Sequence, residues 1–419
     1  MADFAQLGPV PTLHLLTDRP FESLASDLRR WSPRRPMTLV IPTLFQELER
    51  PALARIVDIV AEASYLDEVV IGLDDADAEA FEYATRFFAP LAAAGLRCRV
   101  LWQDGPRLRS VDDELGAHGF APAHPGKGRN VWYCLGYVLA SGRADVVAVH
   151  DADIRSYDAA LLARLLYPVA HPDFGYRVAK GFYHRSDEAT FNGRVSRLLM
   201  APLLRALRSV AGPTPYLDHL SAFRYPLAGE ISLDTSLAAE LLLPTDWGLE
   251  VGVLGEIQER CRPREMCQVA IASAYDHKHQ PLSPDDAGDG LHRMAVDIAS
   301  TVLGRLQRDG VVLSRAMLEA IRAEFVREGA ALIEVYHHDA VFNGLTTTRS
   351  REAAAVAVFD RAIGEAGRRI TAPNATATTM APWSVVFDAV PDVGRRLVAA
   401  VEADAADQER VSPPGGGRR

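Results

Sequence analysis

The 419-residue chain has only four cysteines, Cys98, Cys134, Cys261 and Cys267, and no two of them stand as Cys-x-x-Cys. That scatter excludes the common zinc and dithiol motifs and predicts reduced thiols. No apolar stretch approaches the roughly 18 to 20 residues that span a bilayer. A basic segment leading into a long apolar run is also missing from the N-terminus, so no signal peptide is expected. Positive charge is not in excess, with 45 Lys and Arg against 55 Asp and Glu and a net charge of -10. That balance argues against general binding to nucleic acid or to acidic membranes. No internal repeat is visible, and no Gly-x-Gly-x-x-Gly follows the first strand, which disfavours a dinucleotide fold. A cytoplasmic globular protein with no nucleic-acid or membrane partner is what these absences leave. The apolar fraction of 48% and charged fraction of 24% suit it. The length exceeds one comfortable core and predicts one large domain with an accessory region.

What is present is organised around Ala144-Asp145-Val146-Val147-Ala148-Val149-His150-Asp151-Ala152-Asp153. The continuous apolar run reads as a strand buried on both faces. It stops at two acids one residue apart, at the strand end where open α/β sheets bind ligands. Asp-x-Asp suits a divalent cation with a diphosphate, one carboxylate on the metal and the other on the metal, its water or a sugar hydroxyl. A polar strand end starting a turn is an equal reading of the bare tripeptide.

Before it, strands are predicted at 37–42, closed by Pro42, at 66–75 and at 96–102, with helices at 21–31, 47–63 and 77–94, the last kinked or broken at Pro90. The alternation implies parallel pairing through crossover helices. Residues 104–127 read as a polar loop, and 129–141 as a helix. After it, strands are expected at 176–183, 222–225 and 266–274, and helices at 193–207 and 247–260. Helical periodicity runs from 290 to 364 apart from a turn at Asn343-Gly344, and the Pro- and Gly-rich tail is too polar to fold.

Several short motifs carry chemistry. In Gly126-Lys127-Gly128 two glycines let the backbone approach a ligand while Lys127 adds charge near a helix start. It lacks the spacing of a nucleotide-binding P-loop. Gly193-Arg194-Val195-Ser196 opens a helix with free amides, a guanidinium fork and a hydroxyl, which together suit a phosphate or carboxylate. Glu250 is an acid among small and apolar residues. His277 and His279 point the same way from an extended segment, and one of them is the best further ligand for the two aspartates.

In their order and spacing these stretches resemble the glucosyl-3-phosphoglycerate synthase family of retaining, GT-A-type glycosyltransferases. The resemblance runs from about Met37 to Leu282. It is carried by Ile41-Pro42-Thr43-Leu44, Gly126-Lys127-Gly128, Asp151-Ala152-Asp153, Lys180-Gly181-Phe182-Tyr183 and Gly193-Arg194-Val195. Pro226-Leu227-Ala228-Gly229-Glu230, Gly248-Leu249-Glu250-Val251-Gly252 and His277-Lys278-His279-Gln280-Pro281-Leu282 complete the series. The resemblance implies that Asp151, Asp153 and His277 hold a divalent cation, Mg²⁺ or Mn²⁺. Lys127, Pro42, Glu47 and Asp74 match donor-binding positions, with Asp74 where the family has a serine. Gly193, Arg194 and Ser196 match the segment holding the acceptor phosphate, Ser196 standing for threonine. Glu250 matches a glutamate beside the transferred sugar, so Asp153, Glu250 and Lys127 are the catalytic candidates. His279 stands where the family has an asparagine at the acceptor.

The expectation is an α/β fold: a GT-A-type, Rossmann-like nucleotide-sugar-binding sheet with a helical C-terminal extension. Its parts are an N-terminal segment 1–35, a nucleotide-sugar half 36–160, an acceptor half 161–285, an extension 286–405 and a disordered tail 406–419. The implied reaction moves glucose from UDP- or GDP-glucose to the 2-hydroxyl of 3-phosphoglycerate, in a homodimer. Three alternatives stay open: a mannosyl- or glucosylglycerate synthase acting on free glycerate, a metal-dependent sugar-phosphate nucleotidyltransferase, and a non-enzymatic nucleotide-sugar sensor.

Overall fold

The fold comes from a computed structural model that describes residues 6, 8–186, 189–272, 276, 290–372 and 379–411. In chain order the strands are β1 (Thr12–Leu13), β2 (Met37–Leu44), β3 (Glu68–Asp74), β4 (Arg97–Trp102), β5 (Val146–Val149), β6 (Val178–Phe182), β7 (Ile231–Asp234), β8 (Leu243–Pro244), β9 (Met266–Ala270) and β10 (Thr379–Met380). Eight of them form one sheet in the order β1-β9-β6-β7-β5-β2-β3-β4, and β8 pairs with β10 apart from it. Every pair in the large sheet is parallel except those made by β7, which runs antiparallel between β5 and β6.

The period-2 alternation of buried strands explains the layering. Met37, Leu39 and Ile41 of β2 and Val146 and Ala148 of β5 face one apolar core. Val40, Val147 and Val149 face the other. The first core is closed by the helices Phe21–Trp31, Pro51–Ala61, Ala78–Ala93 and Ala159–Ala170. On the second lie the Lys127–Ser141 helix, the acceptor-half helices and the C-terminal extension. Among the described residues no helix is long and apolar enough to cross a membrane.

Several local expectations are corrected. β2 does not end at Pro42 but continues to Leu44, paired with β3 through Leu44–Asp74. Pro42 lies past the β2–β5 ladder, which ends at Val40–Val149, so its missing N–H leaves the pairing with β3 intact. The polar stretch 104–127 contains a helix, Pro106–Ala117, started by Pro at its first turn and buried through Leu108, Val111 and Leu115. Pro90 does not break its helix, which runs Ala78–Ala93. No strand forms at 222–225, because Ala222 ends the helix Pro215–Ala222 and the chain turns there; β7 follows instead. The opening segment contributes β1, which pairs with β9. At 195–200 the helix is π-wound before Ala201–Ala211 continues it.

The extension consists of the helices Gly290–Arg308, Arg315–Phe342, Arg349–Thr371, Trp383–Ala389 and Val393–Val411. The last of these continues helical past residue 406, where coil was expected. It fastens to the β4 edge through Glu402, which meets Arg97 at 2.5 Å and Arg99 at 2.9 Å. All four cysteines are free thiols.

Candidate active site

The site begins where β5 stops. His150 is fully buried, its Nδ1 2.9 Å from the Asp151 carbonyl oxygen and its Nε2 3.1 Å from the Tyr157 hydroxyl. Because a carbonyl only accepts, Nδ1 carries the proton and Nε2 accepts from Tyr157. Burial pushes the imidazole pKa down to about 4, so it stays neutral and pins the turn into Asp151.

Asp151 meets Lys127, whose Nζ lies 2.6 Å from Asp151 Oδ1 and 2.8 Å from Glu250 Oε1. The three side chains come from a strand end and from the first turns of two helices, Lys127–Ser141 and Leu249–Arg260. They line the cleft at 25%, 19% and 11% exposure for Asp151, Lys127 and Glu250. Burial disfavours the ammonium, but the two carboxylates outweigh it and hold its pKa above the ordinary lysine value. The result is a cation fixed between two acids at a site open to ligand.

The glycines on either side of Lys127 have a different role from the expected one. A Cβ on Gly128 would lie 1.8 Å from the Pro244 carbonyl oxygen, and one on Gly126 2.6 Å from that of Thr245. The close approach is to the chain's own backbone, which docks the loop on 244–245 and aims Lys127 at Asp151. Gly126, at φ 154°, also holds a conformation that L side chains rarely adopt.

A second layer carries residues that the sequence quoted but gave no role. Lys180 in β6 is buried and donates to the Ala228 carbonyl oxygen. Burial pushes its pKa down to about 8 against the opposing pull of Glu250 and Glu230. The Tyr183 hydroxyl donates to Glu230 Oε2 at 2.7 Å. These contacts hold loop 228–230 flush on Asp151: a Cβ on Gly229 would stand 2.6 Å from Asp151 Oδ2. The available signal was a lysine inside an otherwise apolar strand.

One cavity of about 300 Å³ joins Lys127, Asp151 and Glu250 to Gly193, Arg194 and Ser196. Residues from the two halves of the sequence therefore share one space. Gly193 makes the corner at φ +77°, with Arg185 Cβ 3.4 Å from where a side chain would begin. A larger cleft of about 1160 Å³ meets this region at Gly126 and is walled by Leu44, Phe45, Asp74, Trp102 and Arg109. Asp74 is pushed up to about 6 by burial, against the pull of Arg129. Pro42 and Glu47 do not line the cleft. Pro42 is inside β2, and Glu47 is buried with its Oε2 3.5 Å from Arg50 Nε.

Asp153 is half-buried on the turn after Asp151 and lines neither space. Among the described residues no cluster of three or more metal-ligating side chains is present. His277 and His279 lie outside the described residues. Asp276 is described: its carbonyl accepts from Arg155 N at 2.8 Å, and its own N–H donates to Ser156 Oγ at 3.0 Å. The segment is thus held two and three residues after Asp153.

No family model matches the chain. It is 37% identical over 407 residues to the glucosyl-3-phosphoglycerate synthase of Persephonella marina, covering 97% of this chain and 100% of that one. The enzyme of that name from Methanococcoides burtonii is 34% identical over 391 residues, 92% of this chain and 94% of the relative. Among solved structures, glucosyl-3-phosphoglycerate synthase from Mycobacterium tuberculosis, crystallised with Mn²⁺, uridine diphosphate and glucosyl-3-phosphoglycerate, superposes with a TM-score of 0.52. That match is 22% identical and covers 73% of this chain and 90% of that one, which supports the GT-A-type fold. With two relatives above 30% identity along nearly its whole length, the chain belongs to the glucosyl-3-phosphoglycerate synthase family.

Proposed function

We propose that the chain transfers glucose from a nucleoside-diphosphate glucose to the 2-hydroxyl of 3-phosphoglycerate, with retention at the sugar carbon. The carrying observation is the single cavity in which Lys127, Asp151 and Glu250 face Gly193, Arg194 and Ser196. One wall suits a sugar diphosphate and the other an anionic acceptor. The larger cleft with Asp74 suits the nucleoside. Relatives named for this activity support the reading.

The donor set is oxygen-rich, and Asp151 faces the cavity from a turn that also carries Asp153. That chemistry fits a hard divalent cation, Mg²⁺ or Mn²⁺. Asp151 and Asp153 would hold it with His277, a choice supported by Asp276 being fastened beside Arg155 and Ser156. When bound it supplies Lewis-acid stabilisation of the departing diphosphate.

The chain's own groups account for the rest. Lys127 can turn from Asp151 toward the diphosphate and stabilise its growing charge, while Asp151 lies close against Gly229, where a side chain would displace it. Gly193, Arg194 and Ser196 orient the acceptor. Its 2-hydroxyl oxygen bonds to the sugar carbon on the face from which the carbon–oxygen bond to diphosphate breaks. The hydroxyl proton passes to a diphosphate oxygen, so no separate side-chain base is required. Glu250, paired with Lys127, steadies the positive charge that develops on the sugar. His279 is kept as an acceptor contact, and a cytoplasmic homodimer as the expected form.

The test is a matrix of UDP- and GDP-glucose and -mannose against 3-phosphoglycerate and free glycerate, followed by nucleoside-diphosphate release and by the anomeric coupling of the product. An α-linked product on 3-phosphoglycerate is expected. Release of pyrophosphate from a nucleoside triphosphate, a β-linked product, or turnover confined to free glycerate would each overturn the reading.

A further inference from the structure

Behind the wall formed by Gly193 and Ser196 lies a second cavity of about 350 Å³. It shares Tyr183, Arg185, Asn192, Gly193, Ser196 and Tyr225 with the site cavity, so the two are lobes of one space. Beyond the shared wall it is lined by Arg197, Arg205, Arg208 and Arg224 with His184, and no carboxylate of the described residues lines it. In a chain of net charge -10 this is a local inversion of sign.

Two donors there are unsatisfied. Arg197 is buried, with Nε given to the Asn192 carbonyl at 2.8 Å and Nη2 to Glu352 at 2.7 Å. Its Nη1 has no hydrogen-bond partner, and neither has the buried Ser196 Oγ. Buried N–H and O–H groups without acceptors are costly, and both of these belong to residues that line the lobe. Arg205 and Arg208 have carboxylate partners in Glu328 and Asp218. The exposed Arg224 has none among the described residues, its guanidinium lying 5.7 Å over the Phe182 ring.

Volume decides which part of a ligand belongs here. Small-molecule pockets run from about 300 to 1,000 Å³. The site lobe, at about 300 Å³, must take the hexose and the reacting carbon of the acceptor. On the acceptor reading, the anionic tail runs toward Gly193 and Ser196, beyond which the arginine lobe opens.

We propose that this lobe is the anion subsite for the phosphate end of the acceptor, in which Arg224 and Arg197 Nη1 extend the grip of Gly193 and Ser196. Arg224 is then a determinant of selectivity for phosphorylated over free hydroxy acids. The proposal rests on the acceptor reading given above.

It is tested with R224A and R224E, at an exposed position where the fold should tolerate change. R224A should raise the KM for 3-phosphoglycerate about tenfold, the loss of one charge-assisted hydrogen bond, and R224E more. The KM for the nucleoside-diphosphate glucose should stay in place. Inorganic phosphate should raise the melting temperature of the wild type and do so far less for R224E. An unchanged KM for 3-phosphoglycerate, or equal rises in both KM values, overturns the proposal. If the wild type does not use 3-phosphoglycerate, the acceptor reading has failed by itself. The phosphate melts then still decide the lobe, and equal shifts in wild type and R224E, or none in either, overturn it.

Discussion

Asp74 closes β3 in the wall of the larger cleft, where burial pushes its carboxyl up from an ordinary 3.8 to about 6. That difference corresponds to about 3 kcal/mol between its two protonation states. The folded-state value is raised, so the stabilising contribution is fully present below about pH 4 and is lost as pH rises through about 6. By pH 7.5 the folded protein therefore holds an ionised, poorly hydrated Asp74 at a cost of up to about 3 kcal/mol. Asp74→Asn keeps the shape and removes the titration. The stability difference, variant minus wild type, should be near zero below about pH 4, grow as pH rises to about 6 and level off by about pH 7. Thermal or urea melts of both proteins at matched pH measure it. Asp297, also raised to about 6 by burial, gives both proteins the same background slope, which cancels in the difference. A difference independent of pH, or one that shrinks as pH rises, would refute the reasoning.

Other outcomes follow from the same geometry. Asp153→Ala should nearly abolish turnover with the melting curve intact, and chelator should do the same to the wild type; full activity in chelator would remove the metal from the account. Lys127→Met leaves Asp151 and Glu250 facing one another. It should cost about 2 kcal/mol, less than a fully buried pair because the cleft admits water, and slow turnover about a hundredfold or more. A wild-type rate in that variant would exclude Lys127 from catalysis. Gly128→Ala drives a methyl into the Pro244 carbonyl and should destabilise by about 1–3 kcal/mol while lowering kcat; unchanged melting would show that the loop can shift freely.

The sheet was legible because its central strands are buried on both faces. Continuous apolar runs at 37–41, 69–73 and 146–149 have no other reading once crossover helices separate them. β7 was missed for a physical reason: Ile231-Ser232-Leu233-Asp234 alternates over four residues only, too few to mark a strand, and its buried serine breaks any apolar run. The helix Pro106–Ala117 was hidden by its polar exposed face, although Leu108, Val111 and Leu115 carry the period of a buried stripe. In the site, Lys127, Asp151 and Glu250 were nameable from chemistry at element ends. That one ammonium bridges both acids could not be read from three positions of which the outer two, Lys127 and Glu250, lie 123 residues apart. Lys180 went unassigned because a lysine in a strand looks like an edge residue until the sheet order places β6 in the interior.

The C-terminal extension, treated in the sequence as an accessory region, is part of what aims the site. β10 pairs with β8, whose Pro244 is the surface on which Gly128 rests. Three residues past β10, Trp383 stacks on Trp132 at 4.1 Å between ring centroids and donates from Nε1 to the Trp132 carbonyl at 2.7 Å. Trp132 belongs to the helix that begins at Lys127, and Gly136 on that helix leaves the indole its room. The helix is thus gripped twice near its start, at its first turn by the 244–245 backbone and about a turn later by Trp383. Since Glu250 stands a few residues beyond that same backbone, a displacement of β8 would move both partners of the Lys127–Glu250 pair. The extension's packing therefore bears on the distance between the cation and the acid, as the Asp151 turn does.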